Sequence, residues 1–460
     1  MTAFRKPGFN EAWFIAKSEE SFYSNFNITV VFDQDVALGE LSHALKRCID
    51  ANRWLTVNFF RESQNKNPDY RNDYNLLYVT RIAFRTILQL SSIQSDEEYL
   101  KFLNLTPIPM NRKDLPLWRV TLRNLNTLSV CFCHSIFDGT CGLQIIRDLV
   151  AELNENGPKE EITELFNLQL NQNKDWTEIV PAVESSYDLY IPPLPQRLSM
   201  LLLHYIPFFR GKTPSPDPPL FTSFPVEKTL ESNYKILRFD HEFTSQLVAF
   251  SRENGFTLTS LINVIGIRCI EKFIYPTYGP SFCSSHFLAV NGRRYYRLKP
   301  GESYQYGMMV CGAPIIFHPL SDNFINDCKE FHLLMQAEIV SRRGFKNYWA
   351  NTYIDFTYEQ NKKIGTMDRY TTMVSNLGKF VNPVGAMTRV TDAYFGLTTA
   401  MGYHFIFNML TTDESGLTLV IPYNPKYLES EMSKFLEEFE KFCLSLITNE
   451  MQETTEDMSM

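Results

Sequence analysis

The stretch that decides the fold is Leu128-Ser-Val-Cys-Phe-Cys133, followed at once by His134-Ser-Ile-Phe-Asp138-Gly139. The apolar run predicts a buried strand, and the Asp-Gly pair predicts a turn four residues after the histidine. A histidine at the end of a strand is held beside a bend, where a general base could reach into a cleft. The pattern is scarcely expected by chance in 460 residues with 8 His and 20 Gly. The alternative is that His134 is an ordinary core histidine and that Asp138 caps a helix.

The composition predicts a globular intracellular protein with a large core. Apolar residues make up 44% of the chain, charged residues 21%, and the net charge is -8. Nucleic-acid binding needs concentrated Lys and Arg, so we expect no nucleic-acid partner. The nine Cys are scattered and odd in number, and the first residues lack the apolar region of a signal peptide. The predicted location is therefore cytoplasmic.

One apolar segment suggests contact with a membrane surface. Residues 200–209 read Met-Leu-Leu-Leu-His-Tyr-Ile-Pro-Phe-Phe, with Arg197, Arg210 and Lys212 on the flanks. The segment is shorter than the roughly 18 apolar residues of a membrane span, but its composition suits an interfacial anchor. The sequence therefore allows peripheral association with the endoplasmic reticulum or lipid droplets. The alternative is that the segment packs on the protein's own surface.

Hydrophobic periodicity divides the chain into two α/β halves joined by a proline-rich crossover. We place the first half at 1–175, the crossover at 176–230, the second half at 231–448 and a disordered acidic tail at 449–460. The predicted strands are 25–32, 116–122, 128–133, 234–239, 284–290, 308–317, 403–409 and 417–422. The predicted helices are 38–49, 140–153, 242–252, 259–273 and 323–342. Two halves with a similar order of elements suggest two related subdomains that meet along a cleft.

The chain lacks the motifs of other common chemistries. It has no G-x-S-x-G nucleophile elbow and no cysteine in a recognisable catalytic context, so a histidine base would act without a side-chain nucleophile. Cys131 and Cys133 lie on the strand face opposite His134, and no second Cys/His pair follows, so we predict no metal site. The absence of G-x-G-x-x-G argues against a nicotinamide cofactor. We expect no bound cofactor.

The His134-x-x-x-Asp138-Gly139 motif resembles the active-site motif of the CoA-dependent acyltransferase superfamily. That superfamily includes chloramphenicol acetyltransferase, the plant BAHD enzymes and the condensation domains of peptide synthetases. Over residues 10–445 the chain is most similar to the fungal alcohol acetyltransferase family, which includes yeast sphingoid-base N-acetyltransferases. The resemblance implies a mixed α/β fold of two chloramphenicol-acetyltransferase-like subdomains. Each would be a mostly antiparallel or mixed sheet with flanking helices, and the active-site tunnel would lie between them.

The same resemblance implies roles for residues outside the motif. In Ala289-Val-Asn-Gly-Arg293-Arg294, Arg293 corresponds to the arginine that pairs with the motif aspartate, which gives Asp138 and Gly139 a structural role beside the catalytic His134. The alternative is a basic pair exposed at the end of a strand.

A second segment, Thr371-Thr-Met-Val-Ser375-Asn376-Leu-Gly378, resembles the superfamily's Ser-Asn-x-Gly segment near the cleft. Ser375 or Asn376 would then bind the oxyanion or the substrate; the alternative is an ordinary Ser-Asn-x-Gly turn. A third segment, Thr391-Asp392-Ala-Tyr394-Phe395-Gly396, departs from the plant D-F-G-W-G segment, and we interpret it as structural support for the tunnel.

The implied function is an acetyl-CoA-dependent acetyltransferase, with acetyl-CoA as co-substrate. His134 would act as general base on the hydroxyl or amine of a hydrophobic acceptor, without a covalent acyl-enzyme, in a monomeric enzyme. One alternative is N-acetylation of sphingoid bases or similar long-chain amines. Another is hydrolysis of a thioester or ester through the same histidine, and a third is a non-catalytic binding protein.

Overall fold

The structure of the protein is a computed structural model. It describes residues 4–23, 25–63, 65–155, 160–171, 181–182, 187–206, 216–277, 282–295 and 305–457. The helices of the first half and the crossover are α1 (Phe9–Glu19), α2 (Leu38–Ala51), α3 (Phe84–Ile87), α4 (Asp96–Leu105), α5 (Gly139–Leu153), α6 (Tyr187–Tyr190) and α7 (Leu194–Tyr205). The strands are β1 (Asn25–Phe32), β2 (Val57–Arg61), β3 (Tyr74–Tyr78), β4 (Arg81–Ala83), β5 (Leu88–Ser91), β6 (Trp118–Arg123), β7 (Thr127–Cys133) and β8 (Glu164–Asn167).

The second half alternates helices and strands in the same way. Its helices are α8 (His241–Glu253), α9 (Leu258–Phe273), α10 (Phe324–Ser341), α11 (Arg343–Asn347), α12 (Phe356–Lys363) and α13 (Glu429–Asp457). Its strands are β9 (Asn233–Phe239), β10 (Ser284–Asn291), β11 (Val310–Phe317), β12 (Tyr370–Phe380), β13 (Val390–Gly396), β14 (Tyr403–Thr412) and β15 (Gly416–Tyr423). The two-subdomain mixed α/β architecture that the sequence predicts is confirmed.

Each half is built around one mixed sheet. The first sheet has the strand order β13-β1-β7-β6-β5, with β1, β7 and β6 antiparallel. The second has the order β11-β10-β12-β14-β15-β9, with parallel pairing of β10 to β12 and of β12 to β14. Strand β7 lies in the middle of the first sheet and all seven of its residues are buried. A strand covered on both faces reads as a continuous apolar run, which explains the sequence Leu128–Cys133.

Side-chain caps set where several helices begin. Asp138 caps α5 by accepting a hydrogen bond from the Cys141 amide, and Asp240 caps α8 in the same way through Phe243. Thr257 caps α9 by accepting a hydrogen bond from the Ser260 amide. A cap satisfies a backbone N–H that has no partner inside the helix, so these residues fix the helix starts. The start of α5 matters most because it follows His134 directly.

One strand crosses the predicted boundary between the halves. Strand β13 follows β12 in the chain, yet it pairs along its length with β1 at the edge of the first sheet. Its register places Tyr394 opposite Thr29 and Phe395 opposite Ile28. The segment 231–448 is therefore not confined to the second sheet. The pairing is non-local, so no pattern within 390–396 could have indicated it.

The crossover and the tail also differ in part from the sequence prediction. The proline-rich crossover contains a regular helix, α7, which begins with Leu194 and Pro195, and proline is tolerated in the first turn of a helix. Residues 207–209 of the apolar segment lie outside the described residues. The last helix, α13, continues into the segment predicted to be disordered, as far as Asp457. Its buried anchors Phe435, Phe439 and Cys443 hold the helix upstream, and the Glu, Met and Gln residues that follow are good helix formers. Within the described ranges, no helix combines the length and apolar character needed to cross a membrane.

Candidate active site

His134 lies at the carboxyl end of β7, in the bend that leads into α5. Its ring lines a cavity of about 390 Å³ between the two sheets. The walls come from α1, the β7–α5 bend, β10, β11, α12, β12 and the residues around β13 and β14. This volume is in the range of small-molecule sites, which are usually apolar clefts with a few placed polar groups. The motif histidine is therefore a cavity residue rather than a core residue.

Aromatic rings surround the imidazole of His134. The Phe14 ring stacks on it with centroids 4.5 Å apart and planes inclined by 15°. Phe26 and Tyr23 lie 5.0 and 5.8 Å away. Removal of the ring from water lowers the pKa of His134 to about 4, against the weaker raising effect of the Asp138 charge. The imidazole is therefore neutral at physiological pH, as a proton acceptor must be.

The two ring nitrogens of His134 have different surroundings. Nδ1 is buried and has no hydrogen-bond partner of good geometry among the described residues, but backbone groups of His134 and Phe137 are close enough to raise the pKa of the ring. Nε2 is not among the buried unpaired atoms, and the ring borders the cavity, so Nε2 is the nitrogen that a substrate can reach. A base of this kind needs only one accessible nitrogen within hydrogen-bond reach of the acceptor proton.

Asp138 is fully engaged in holding the structure together. Its Oδ1 accepts a hydrogen bond from the Cys141 amide at 2.8 Å, and its Oδ2 accepts from the Met309 amide at 2.7 Å. Arg293 Nη1 donates to the same Oδ2 at 2.8 Å. The carboxylate is 2% exposed, so each of these donors offsets the cost of burying a charge. Asp138 is thus both a helix cap and the partner of an arginine, and it ties α5 to the second half.

Arg293, not Arg294, is the arginine that reaches Asp138. Its Nη2 also donates to the Gly307 carbonyl at 2.8 Å, which holds the guanidinium in place. Arg294 instead lies over the ring of Tyr295, 4.8 Å from the centroid. The alternative of two exposed basic residues therefore applies only to Arg294.

Gly139 is required by close packing. A Cβ at this position would lie 2.5 Å from Cδ2 of Leu377, which comes from the second half. Gly139 does not have a positive φ, so its place in the motif does not reflect a turn conformation that only glycine can adopt. The absence of a side chain lets the start of α5 approach β12, and this brings His134 towards the Ser375 segment.

The two candidate oxyanion residues, Ser375 and Asn376, differ in how they are used. Both line the cavity. The Asn376 side chain donates to Thr259 Oγ1 at 3.0 Å and accepts from the Gly378 amide at 2.8 Å, so both of its polar atoms are used by the turn. Ser375 Oγ has no hydrogen bond to a described residue and is not sealed from the cavity. Ser375 is therefore the donor left available to a substrate.

The third segment supports the cavity wall. Phe395 of β13 lines the cavity, whereas Asp392 faces away from it and accepts hydrogen bonds from Arg238 Nε at 2.8 Å and from Thr418 Oγ1 at 2.8 Å. The aspartate of this segment therefore links the two sheets.

Sequence reasoning missed much of the cavity wall, above all α1. That helix contributes Trp13, Phe14 and Lys17. The apolar spacing of Phe9, Ala12, Ile15 and Ala16, all buried, is a helical signal that could have revealed it. Apart from Phe395 in the third segment, the aromatic wall could not have been found from local patterns, because its residues are distant in sequence: Phe22, Tyr23, Phe26, Phe287, Tyr348, Tyr370 and Tyr403.

The nearby thiols do not have the properties of nucleophiles. All nine cysteines are free and buried, and burial raises the pKa of the Cys133 and Cys141 thiols that flank the motif. Among the residues that the structure describes, no three His, Cys, Asp or Glu side chains are grouped closely enough to hold a metal ion.

Comparisons with known proteins agree with this architecture. The model of the alcohol acetyltransferase family matches residues 6–449. Among solved structures, the chain is similar to a trichothecene 15-O-acetyltransferase, TRI3, from Fusarium sporotrichioides, at 12% identity and a TM-score of 0.66, with 96% of this chain and 94% of that chain covered. It is also similar to the first condensation domain of the calcium-dependent antibiotic synthetase, at 14% identity and a TM-score of 0.60, with 97% of each chain covered.

A search of curated protein sequences gives no match. At such low identities the solved structures show the shared fold alone. The family model covers nearly the whole chain and carries the assignment: this protein is an acyltransferase enzyme that belongs to the alcohol acetyltransferase family.

Proposed function

We propose that this enzyme transfers the acetyl group of acetyl-CoA to the hydroxyl of a hydrophobic alcohol. The observation that carries the proposal is the position of His134, whose ring borders an aromatic cavity between the two sheets. Burial also lowers the pKa of this ring, which favours the neutral form that a base requires. The acyltransferase family supplies the reaction class, and the aromatic walls favour an apolar acceptor. No cofactor beyond the co-substrate is needed for this chemistry.

In the proposed mechanism, His134 Nε2 removes the acceptor proton as the acceptor oxygen attacks the thioester carbonyl carbon. The carbonyl oxygen becomes an oxyanion, and Ser375 Oγ donates a hydrogen bond to it. When the tetrahedral intermediate collapses, the C–S bond breaks and CoA leaves as the thiolate, which takes the proton from His134. Arg293, Asp138 and Gly139 hold the bend that presents the imidazole. No acyl-enzyme forms, which is consistent with the absence of an activated cysteine near the motif.

The test is product analysis with a panel of acceptors. The enzyme is incubated with acetyl-CoA and fusel alcohols, sterols or sphingoid bases, and CoA release and product mass are recorded. We expect CoA release that depends on an alcohol and yields the acetate ester. CoA release at the same rate without an acceptor, with free acetate as product, would instead identify a hydrolase. If only sphingoid bases are acetylated, and only at nitrogen, the acceptor is an amine and not an alcohol.

We also propose that α7 lets the enzyme rest on a lipid surface. Leu194, Leu198 and Leu202 recur at helical spacing and are 59%, 53% and 44% exposed. At the end of the helix, His204 and Tyr205 pack on Tyr353, next to the helix α12 that lines the cavity. Exposed leucines at this spacing suit an interfacial helix. The wild-type enzyme should co-sediment with phospholipid vesicles and a Leu198→Glu/Leu202→Glu variant should not; equal sedimentation would exclude this role.

A further inference from the structure

Lys17 is an unusual residue in the wall of the cavity. It lies on α1, one turn after Trp13, and its side chain is half-buried among the aromatic residues around His134. Its Nζ is 5.3 Å from the ring centroid of Trp13 and 5.6 Å from that of Phe14. Phe14 is the ring that stacks on His134. The ammonium group is therefore in the immediate surroundings of the catalytic histidine.

No carboxylate neutralises Lys17 within the described part of the chain. None lies within the 4.0 Å of an ion pair, whereas the other cavity lysine, Lys363, is 3.5 Å from Asp368. Asp138, the motif carboxylate beside His134, is already paired with Arg293. Burial, helped by the Lys363 charge, lowers the pKa of Lys17 to about 8. At pH 7 most Lys17 side chains still carry that charge.

We infer that Lys17 is a specificity-determining residue that excludes cationic acceptors and selects neutral hydroxyl compounds. Two effects of the geometry point to this. An acceptor with a positive charge close to its nucleophilic atom would bring that charge near the Lys17 ammonium in a cavity walled by aromatic rings, where like charges repel more strongly than in bulk water. In addition, the faces of Trp13 and Phe14 would by themselves attract an organic cation, but Lys17 Nζ already lies over them. The inference rests on the proposed acetyl transfer, and it narrows the acceptor class of that site.

The sharpest probe is a pair of alcohols that differ only in charge. Choline and 3,3-dimethylbutan-1-ol have the same shape and the same hydroxyl, but a quaternary nitrogen replaces a carbon. The readout is the ratio of their kcat/KM values in acetylation at pH 7. Their inhibition constants against the best alcohol of the acceptor panel give a second ratio, which does not depend on turnover. The wild-type enzyme should favour the neutral alcohol by about tenfold or more in both ratios.

Substitutions at Lys17 should change these ratios in a defined order. Lys17→Arg keeps the charge and should keep the preference. Lys17→Met removes the charge at similar length and should abolish the preference, because the aromatic faces become available to the cation. Lys17→Glu should reverse it. Lys363→Met is the matched control, since it removes a cavity lysine that has a carboxylate partner, and it should shift the ratios far less than Lys17→Met.

The outcomes separate this inference from the proposed function. If the enzyme acetylates alcohols but the wild type accepts or binds choline as well as its neutral isostere, Lys17 has no such role. The same conclusion follows if Lys17→Met leaves both ratios unchanged. If no alcohol is acetylated at all, the proposed function itself fails, and the inference fails with it. Native circular dichroism and melting temperature of each variant exclude a loss of fold as the cause.

Discussion

At the scale of single residues, three side chains of the site have different roles. The ring of His134 borders the cavity, and both carboxylate oxygens of Asp138 accept hydrogen bonds from groups that stabilise the fold. The Ser375 hydroxyl makes no hydrogen bond to a described residue. Asp138 makes both of the contacts that the sequence leaves open, because a carboxylate has two oxygens: Oδ1 caps α5 and Oδ2 pairs with Arg293. Under the proposed function, this leaves His134 for proton transfer.

The low pKa of His134 predicts the acid limb of the pH–rate profile. The imidazole loses its function as a base only when it is protonated, and its pKa is about 4 instead of 6.5. For a neutral alcohol, kcat/KM should therefore stay nearly flat from pH 7 down to about pH 5 and fall only below that. A fall in kcat/KM with its midpoint near pH 6.5 would contradict the burial of the His134 ring.

Three buried histidines, among them His134, predict how the stability of the protein depends on pH. His134, His286 and His404 have pKa values lowered to about 4, 3 and 3 by burial. Their folded pKa values lie below the unfolded value, so the unfolded chain binds more protons between pH 6.5 and 4, and stability falls as the pH falls through that window. Unfolding in urea at each pH measures this effect, and it identifies any loss of activity that comes from loss of the fold.

Ser375 and Asn376 should respond differently to substitution. Ser375→Ala removes a donor to the oxyanion and should lower kcat by roughly 100-fold with little loss of stability. Asn376→Ala breaks the bonds to Thr259 and Gly378, and it should cost about 1 kcal/mol of stability with a smaller effect on kcat. A larger kcat defect in Asn376→Ala than in Ser375→Ala would reverse the assignment.

At the scale of elements, the approach of α5 to β12 positions the motif. Gly139→Ala would place its Cβ 2.5 Å from Leu377 Cδ2 and should destabilise the protein by about 1–2 kcal/mol. Because the clash is with the end of a side chain, Leu377→Ala should relieve it. In a double-mutant cycle measured by chemical denaturation, Gly139→Ala should cost less in the Leu377→Ala background than in wild type. Additive effects would mean that the two residues do not clash.

The elements also show how far the sequence could predict the structure. Strands β7, β10 and β15 and helices α5 and α9 carry strong local periodicity, so their positions follow from pattern and capping residues. The apolar spacing in helix α1 indicates a helix, but the signal is weak. The placement of β13 beside β1 depends on a partner more than 350 residues away, and no local signal encodes such a pairing. The motif could be located from the sequence, but the aromatic wall and Lys17 could not.

At the scale of the whole molecule, two sets of ion pairs join the halves, one of them buried. Arg293 and Asp138 join them next to His134. On another side, Arg238 donates to Asp96 at 2.7 Å and to Asp392 at 2.8 Å. The halves that form the cavity are thus held in a fixed relation, which suits a reaction that depends on positioning two substrates.

Loss of Arg293 should weaken both the fold and the reaction. Arg293→Ala leaves the buried Asp138 carboxylate without its counter-charge, and breaking such a pair costs about 3 kcal/mol. The lower stability should appear in urea unfolding, with a parallel loss of kcat as the bend loosens. Arg294→Ala, which removes the contact with Tyr295 and leaves the Asp138–Arg293 pair in place, is the matched control. An Arg293→Ala variant with wild-type stability and activity would exclude a structural role for the Asp138–Arg293 pair.

The central claim, that His134 is the general base, is tested most directly by measuring acetyl transfer in His134→Ala and His134→Gln with the best alcohol of the panel. Both variants should lose about 100-fold or more in kcat/KM, with native circular dichroism and a melting temperature close to wild type. Folded variants that retain activity within about tenfold of wild type would contradict the account.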